Sequence, residues 1–129
     1  MRWLNGLKMT DSRLNDHSAD DQITSGLAVS TGWGVASFTP TRLSGFTFVE
    51  VFITRSGADI AESPAGSGNL TGDPTICTLP DGWAPPRAMN AVWGNGSTDG
   101  EATIITSGAV QLRSISGSAG IATGTNVRI

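Results

Sequence analysis

Short runs of β-branched and aromatic residues, separated by Gly, Pro, Asn and Asp, fill the chain from Gly32 onward. This alternation is typical of strands joined by turns, and no segment of useful length in this region has the apolar spacing of a helix. Strands are predicted at 33–39, 45–55, 59–62, 75–79, 88–93, 101–106, 109–114 and 125–129. Seven or eight short strands in one stretch predict an all-β, antiparallel domain, a β-sandwich of jelly-roll type.

The clearest local signal lies in residues 101–113. Two β-rich runs, 101–106 and 109–113, flank the dipeptide Ser107-Gly108. A short connection that contains Gly between two such runs predicts a β-hairpin.

The segment 46–53 is predicted to form a strand with two apolar sides. Because successive side chains of a strand point to opposite faces, Phe46, Phe48 and Phe52 would share one face, and mainly β-branched residues would share the other. One face can line the core of the domain, and the other then needs a cover. Sister copies at an oligomer axis would provide it, and the alternative is a segment of the same chain. We predict a homotrimer with its interface at Phe46, Phe48 and Phe52, because association is a common remedy for the thin core of a small Gly-rich chain.

The first 30 residues differ from the rest of the chain. They combine scattered large apolar residues with a polar run at 15–21. Such a segment is too short to fold alone, so its apolar residues need another surface, either on their own domain or on a partner. If that surface belongs to a partner, residues 1–30 form an extended anchoring arm and residues 31–129 form the head domain. The predicted anchor residues are Trp3, Leu4, Leu7, Met9 and Leu14.

Composition and charge exclude several classes of partner. The chain has 129 residues, a net charge of −3, one lysine and seven dispersed arginines. A surface for nucleic acid or for an anionic membrane needs clustered positive charge, so neither partner is expected. No apolar run approaches the length that spans a bilayer, so membrane insertion is not expected either.

The residue types used most in catalysis are scarce. The sequence has one histidine (His17), one cysteine (Cys77), one lysine (Lys8) and no tyrosine. A Ser-His-Asp triad would depend on His17, which lies in the N-terminal segment. The donor-rich runs at 16–21 and 94–100 lack the density of acidic ligands that a metal site needs. We therefore expect no enzymatic activity, no cofactor and no metal.

Two tryptophans remain as candidate ligand-binding residues. An exposed indole can stack on the apolar face of a sugar. Trp83 lies beside Pro85 and Pro86, and Trp93 ends a predicted strand. Packing in the core is the other role open to both. If the rings are exposed, the chain is an isolated carbohydrate-binding or glycan-hydrolysing module.

Two blocks of the sequence resemble the C-terminal heads of bacteriophage tail-fibre and appendage proteins, especially in phages of actinobacteria. Residues 79–87 (LPDGWAPPR) are similar to a Leu-Pro-x-Gly-aromatic-x-Pro pattern, and residues 101–112 (EATIITSGAVQL) are similar to the hairpin that follows it. The opening residues 3–16 (WLNGLKMTDSRLND) also look like the start of short virion proteins of that group. The resemblance implies a non-enzymatic, trimeric β-sandwich knob built into a virion, and it transfers no catalytic residue.

The expected function follows from the resemblance and the predicted arm. The arm would bind other virion proteins, and the trimeric head would display loops towards a host-surface glycan, as part of a tail or fibre. With three copies, several weak contacts to the glycan would form at once, and the overall affinity would exceed that of a single contact. The alternative within the virion is capsid decoration, in which a head-fibre or cement protein stabilises the capsid lattice. The sequence has no collagen-like or coiled-coil shaft, which suits a compact attachment or decoration protein.

Overall fold

The computed structural model describes residues 21–117 and 120–129, and this part of the chain is all-β and antiparallel, as predicted. None of it forms a helix long and apolar enough to cross a membrane. Eleven strands are present in the described residues. They are β1 (Asp21–Gln22), β2 (Ala28–Val29), β3 (Trp33–Phe38), β4 (Thr41–Leu43), β5 (Phe46–Phe48), β6 (Val51–Arg55), β7 (Thr75–Thr78), β8 (Met89–Gly94), β9 (Asp99–Ile104), β10 (Ala109–Leu112) and β11 (Asn126–Arg128).

The strands form two sheets. The large sheet has the order β2-β7-β10-β9-β8-β11-β6-β3, and the small sheet has the order β1-β4-β5. The two edge strands of the large sheet, β2 and β3, are consecutive in the chain and are joined by the turn 30–32, which the Trp33 N–H closes by donating to the Ser30 carbonyl at 3.1 Å. The large sheet is therefore curled into a near-barrel.

The core of the near-barrel is built around Trp93, whose side chain is fully buried. The indole Nε1 donates a hydrogen bond to the Ser114 carbonyl at 2.9 Å. Gly100 lies directly opposite Trp93 on β9, and a Cβ at that position would lie 1.9 Å from the Ser114 oxygen. Glycine at position 100 is thus what allows the indole to reach across β9.

The hairpin predicted at 101–113 is confirmed. Strands β9 and β10 pair antiparallel, with Val110 opposite Ile104 and Leu112 opposite Ala102. The Ile105 N–H donates to the Ala109 carbonyl and closes the turn.

The prediction of one continuous strand over 45–55 is wrong. The chain forms two strands there, β5 and β6, which belong to different sheets. A two-residue turn holds β5 against β4, because Ser44 and Gly45 both have positive φ (50° and 83°), as a type I′ hairpin turn requires. Strand β6 pairs instead with β3 and β11. Val51 and Ile53 are buried in the core, whereas Phe46 and Phe48 lie on the other sheet.

Two further sequence assignments need correction. The segment 59–62 is not a strand and makes only the isolated bridges of Ile60 with Ile121 and of Glu62 with Leu70. Residues 21–29, which we assign to the arm from the sequence, supply β1 and β2, so this part of the predicted arm belongs to the two sheets.

Candidate functional site

The small sheet has two chemically different faces. Its register pairs Leu43 with Phe46 and Thr41 with Phe48, so these side chains share one face. Arg42 pairs with Thr47 and lies on the opposite face. We call the first the outer face and the second the inner face.

The inner face is attached to the rest of the domain through Arg42. The Arg42 guanidinium lies over the Trp83 ring, 4.4 Å from its centroid, and Nη2 donates a hydrogen bond to the Gly82 carbonyl. A guanidinium over an aromatic face is attracted by the quadrupole of the ring. These contacts fix the orientation of the small sheet, with its other face directed outwards.

The outer face carries three exposed apolar side chains. Leu43 is 51% exposed, Phe46 70% and Phe48 61%. With about 150–250 Å² for a large aromatic side chain, the exposed patch measures roughly 350 Å², the size at which patches on monomers are often functional. The Gln22 side chain donates to the Thr41 hydroxyl at 3.1 Å and gives the patch a polar border. This arrangement resembles the apolar centre and polar rim of a protein interface.

The predicted interface residues are therefore divided by the structure. Phe46 and Phe48 lie together on the outer face, whereas Phe52 is half-buried on β6 of the large sheet. The Arg128 guanidinium covers one face of the Phe52 ring, at 4.3 Å from the centroid. Leu43 is not among the interface residues predicted above, although the Ser44-Gly45 turn between two β-rich runs indicates it as a hairpin partner of Phe46.

Both candidate stacking residues are buried. Trp93 has no exposed surface, and Trp83 is 7% exposed beneath Arg42. Neither indole leaves a free face for a sugar. The predicted anchor residues Trp3, Leu4, Leu7, Met9 and Leu14 lie outside the described residues, as does His17.

A shallow surface depression of about 620 Å³ contains two carboxylates, Asp99 and Glu101. Both lie on one face of β9, where the Ser116 hydroxyl donates to Asp99 and the Ser114 hydroxyl accepts from the Glu101 N–H. Side chains two residues apart on a strand point in the same direction. These carboxylates therefore do not flank a substrate from two sides, as the pair of a glycosidase does.

Two other side chains of types that can take part in catalysis are enclosed by the fold. Burial raises the pKa of the Cys77 thiol to about 12, so the reactive thiolate is suppressed. Both carboxylate oxygens of Glu62 are buried without a hydrogen-bond partner. Among residues 21–117 and 120–129, no three His, Cys, Asp or Glu side chains are grouped as a metal site would require.

Comparison with known proteins gives no relative. No family model matches the chain, and no curated protein or solved structure is similar to it. The resemblance of residues 79–87 and 101–112 to phage tail-fibre heads therefore stays a prediction. Function has to be inferred from the surface of the chain itself.

Proposed function

We propose that the chain is a non-enzymatic structural protein of a bacteriophage particle, which assembles as a homotrimer through the outer face of its small sheet. The observation that carries the proposal is the exposure of Leu43, Phe46 and Phe48 side by side on one face of the small sheet. In a single chain this patch faces water. Around a three-fold axis, three such patches cover one another.

The size of the patch supports an assembly role. Burial of about 350 Å² of apolar surface contributes roughly 9 kcal/mol per copy, before the entropy lost on association is subtracted. A standard stable interface covers about 800 Å² per partner, so the patch supplies the apolar centre, and the polar border around Gln22 and Thr41 adds to it. The fold that we propose for the head domain of each copy is a jelly-roll-type sandwich.

The placement in a virion is supported by the sequence resemblance. The N-terminal segment contacts other virion proteins, and the loops of the trimeric head bind a host-surface glycan, with avidity supplied by three copies. The particle location proposed first is a tail or fibre, and capsid decoration is the alternative.

Cryo-electron microscopy of particles that contain this chain tests the proposal. We expect three-fold knobs in which the small sheets of three copies meet at the axis. A few knobs at the tail support the tail assignment, and many over the capsid surface support decoration. A chain that is absent from purified particles, or present as a single copy with its outer face in water, contradicts the proposal.

A further inference from the structure

Within residues 21–117 and 120–129, most of one edge of strand β8 has no neighbouring strand. On one side it pairs with β9 over its whole length, from Met89 to Gly94. On the other side, within the described chain, β11 pairs with it only at Gly94, opposite Arg128. The stretch 89–92 therefore lies beside a gap in the large sheet, and Val92 is 75% exposed there.

The backbone groups that face this gap follow from the hairpin register. The Asn95 N–H donates to the Thr98 carbonyl at 2.9 Å and closes the β8–β9 hairpin. In an antiparallel ladder, alternate residues direct both backbone groups to the same neighbour. Counting back from Asn95, the N–H and C=O of Ala91 point to β9, and those of Asn90 and Val92 point into the gap. An edge with free backbone groups is a template for another strand.

An apolar cavity of about 360 Å³ lies directly beside the gap. Its walls include Ala91 and Met89 of β8, together with Trp83 and Pro86 of the loop between β7 and β8. The small side chain of Ala91 leaves room for a larger one opposite it. The volume lies within the range of pockets that hold small apolar groups.

One positively charged side chain, that of Arg42, lines the cavity. Arg42 makes no ion pair within the described residues, since the ion pair found there joins Arg113 and Asp73. Its register neighbour Asp21 is not within ion-pairing distance. One guanidinium beside an apolar cavity favours an occupant that carries a carboxylate.

We propose that this gap binds an extended segment of another protein by strand addition to β8. The segment runs antiparallel to β8. It occupies the part of the edge that β11 leaves uncovered, and it exchanges hydrogen bonds with the backbone of Asn90 and Val92. Its alternate side chains are apolar and enter the cavity opposite Ala91 and Met89, and a carboxylate on the same face reaches Arg42. This mode takes its affinity from the backbone and its specificity from the pockets for alternate side chains. The inference does not depend on the trimer or on the virion.

Titration of the full ¹⁵N-labelled chain with the peptide acetyl-TVTLTD-amide tests the proposal by NMR. We expect shifts of the Asn90 and Val92 amides and of the Trp83 indole, with slower hydrogen exchange at both amides. Three control peptides isolate the parts of the site. TSTSTD lacks the apolar side chains, TVTLTK reverses the charge, and a copy N-methylated at its threonines cannot donate to the edge. Each should bind at least about tenfold more weakly.

Two variants locate the peptide on the protein. Arg42→Gln should weaken binding of TVTLTD by roughly tenfold, because one charge-assisted hydrogen bond is lost, and should not weaken binding of TVTLTK. Arg87→Gln, an exposed arginine next to Pro86 that does not line the cavity, is the matched control and should change nothing. Ala91→Leu, which fills the cavity and keeps Arg42, should abolish binding.

The proposal is overturned by either of two results. One is that TVTLTD produces no shifts at Asn90 and Val92, as expected if a segment of this chain or of a second copy already holds the edge. The other is that the N-methylated peptide binds as well as TVTLTD, which would mean that the cavity takes up apolar groups without strand addition.

Discussion

The packing of Trp93 against Gly100 makes a sharp prediction for one added methyl group. In Gly100→Ala, the new Cβ would lie 1.9 Å from the Ser114 oxygen and 2.6 Å from the Trp93 Nε1. The carbonyl belongs to the backbone and cannot rotate away. Relief of both contacts should overpack the core around β9 and break the hydrogen bond between Trp93 and Ser114.

The cost of this substitution can be worked from these two contacts. Overpacking of a well-filled core costs about 1–3 kcal/mol, and a buried carbonyl left without its partner costs about 1–3 kcal/mol. We therefore expect Gly100→Ala to lower the free energy of unfolding by about 2–6 kcal/mol, the sum of the two costs. This is a large part of the roughly 5–15 kcal/mol that holds a domain folded.

Urea unfolding followed by tryptophan fluorescence measures the effect. Gly94→Ala is the matched control, because Gly94 also lies on β8–β9 and has only the Thr98 oxygen nearby, at 3.7 Å from a built Cβ. It should change the free energy of unfolding by less than about 1 kcal/mol. In the Trp93→Phe background the cost of Gly100→Ala should shrink, because the indole nitrogen is gone. If Gly100→Ala is as stable as the Gly94→Ala control, the described packing of Trp93 is refuted.

Three further predictions concern other parts of the chain. Replacing Glu62 by Met should raise the free energy of unfolding by about 1–3 kcal/mol, because both buried carboxylate oxygens lack a hydrogen-bond partner. Urea titrations measure the change. A loss of stability would show that other interactions stabilise the buried carboxylate. Cys77 should react with a thiol reagent at pH 8 only after unfolding. Stability should also fall as the pH rises above 9.0, since the folded thiol, with its pKa raised to about 12, stays protonated while the unfolded one ionises; prompt labelling of the native chain would contradict its burial. Phe46→Ser combined with Phe48→Ser should convert the proposed trimer to a folded monomer in sedimentation equilibrium, with loss of the stability that association supplies, whereas Val35→Ser, an exposed apolar control on β3, should leave the assembly intact.

The sequence predicts where the strands of the large sheet lie better than it predicts which strands pair with one another. Most β-rich runs after Gly32 became strands, and the β9–β10 hairpin has its predicted partner, because alternation and turn residues act over a few positions. The break between β5 and β6 was missed, since neither Val49 nor Glu50 is a turn residue. What separates the two strands is pairing with β4 and β3, which depends on the whole fold.

The candidate site shows the same limit. The spacing of Phe46 and Phe48 predicts that both are interface residues, and the structure leaves both exposed on one face. Phe52 has the same spacing but lies on another sheet beneath Arg128, a residue distant in the chain. The burial of Trp83 likewise depends on Arg42 of the small sheet, a contact across the fold that no local pattern reports.

The mass of the full chain in solution tests the assembly through the outer face most directly. Light scattering coupled to size exclusion should give about three times 13.3 kDa at micromolar concentration. A single species of 13.3 kDa over the same range, with Phe46 and Phe48 still open to solvent, would contradict the trimer and the role proposed for the small sheet.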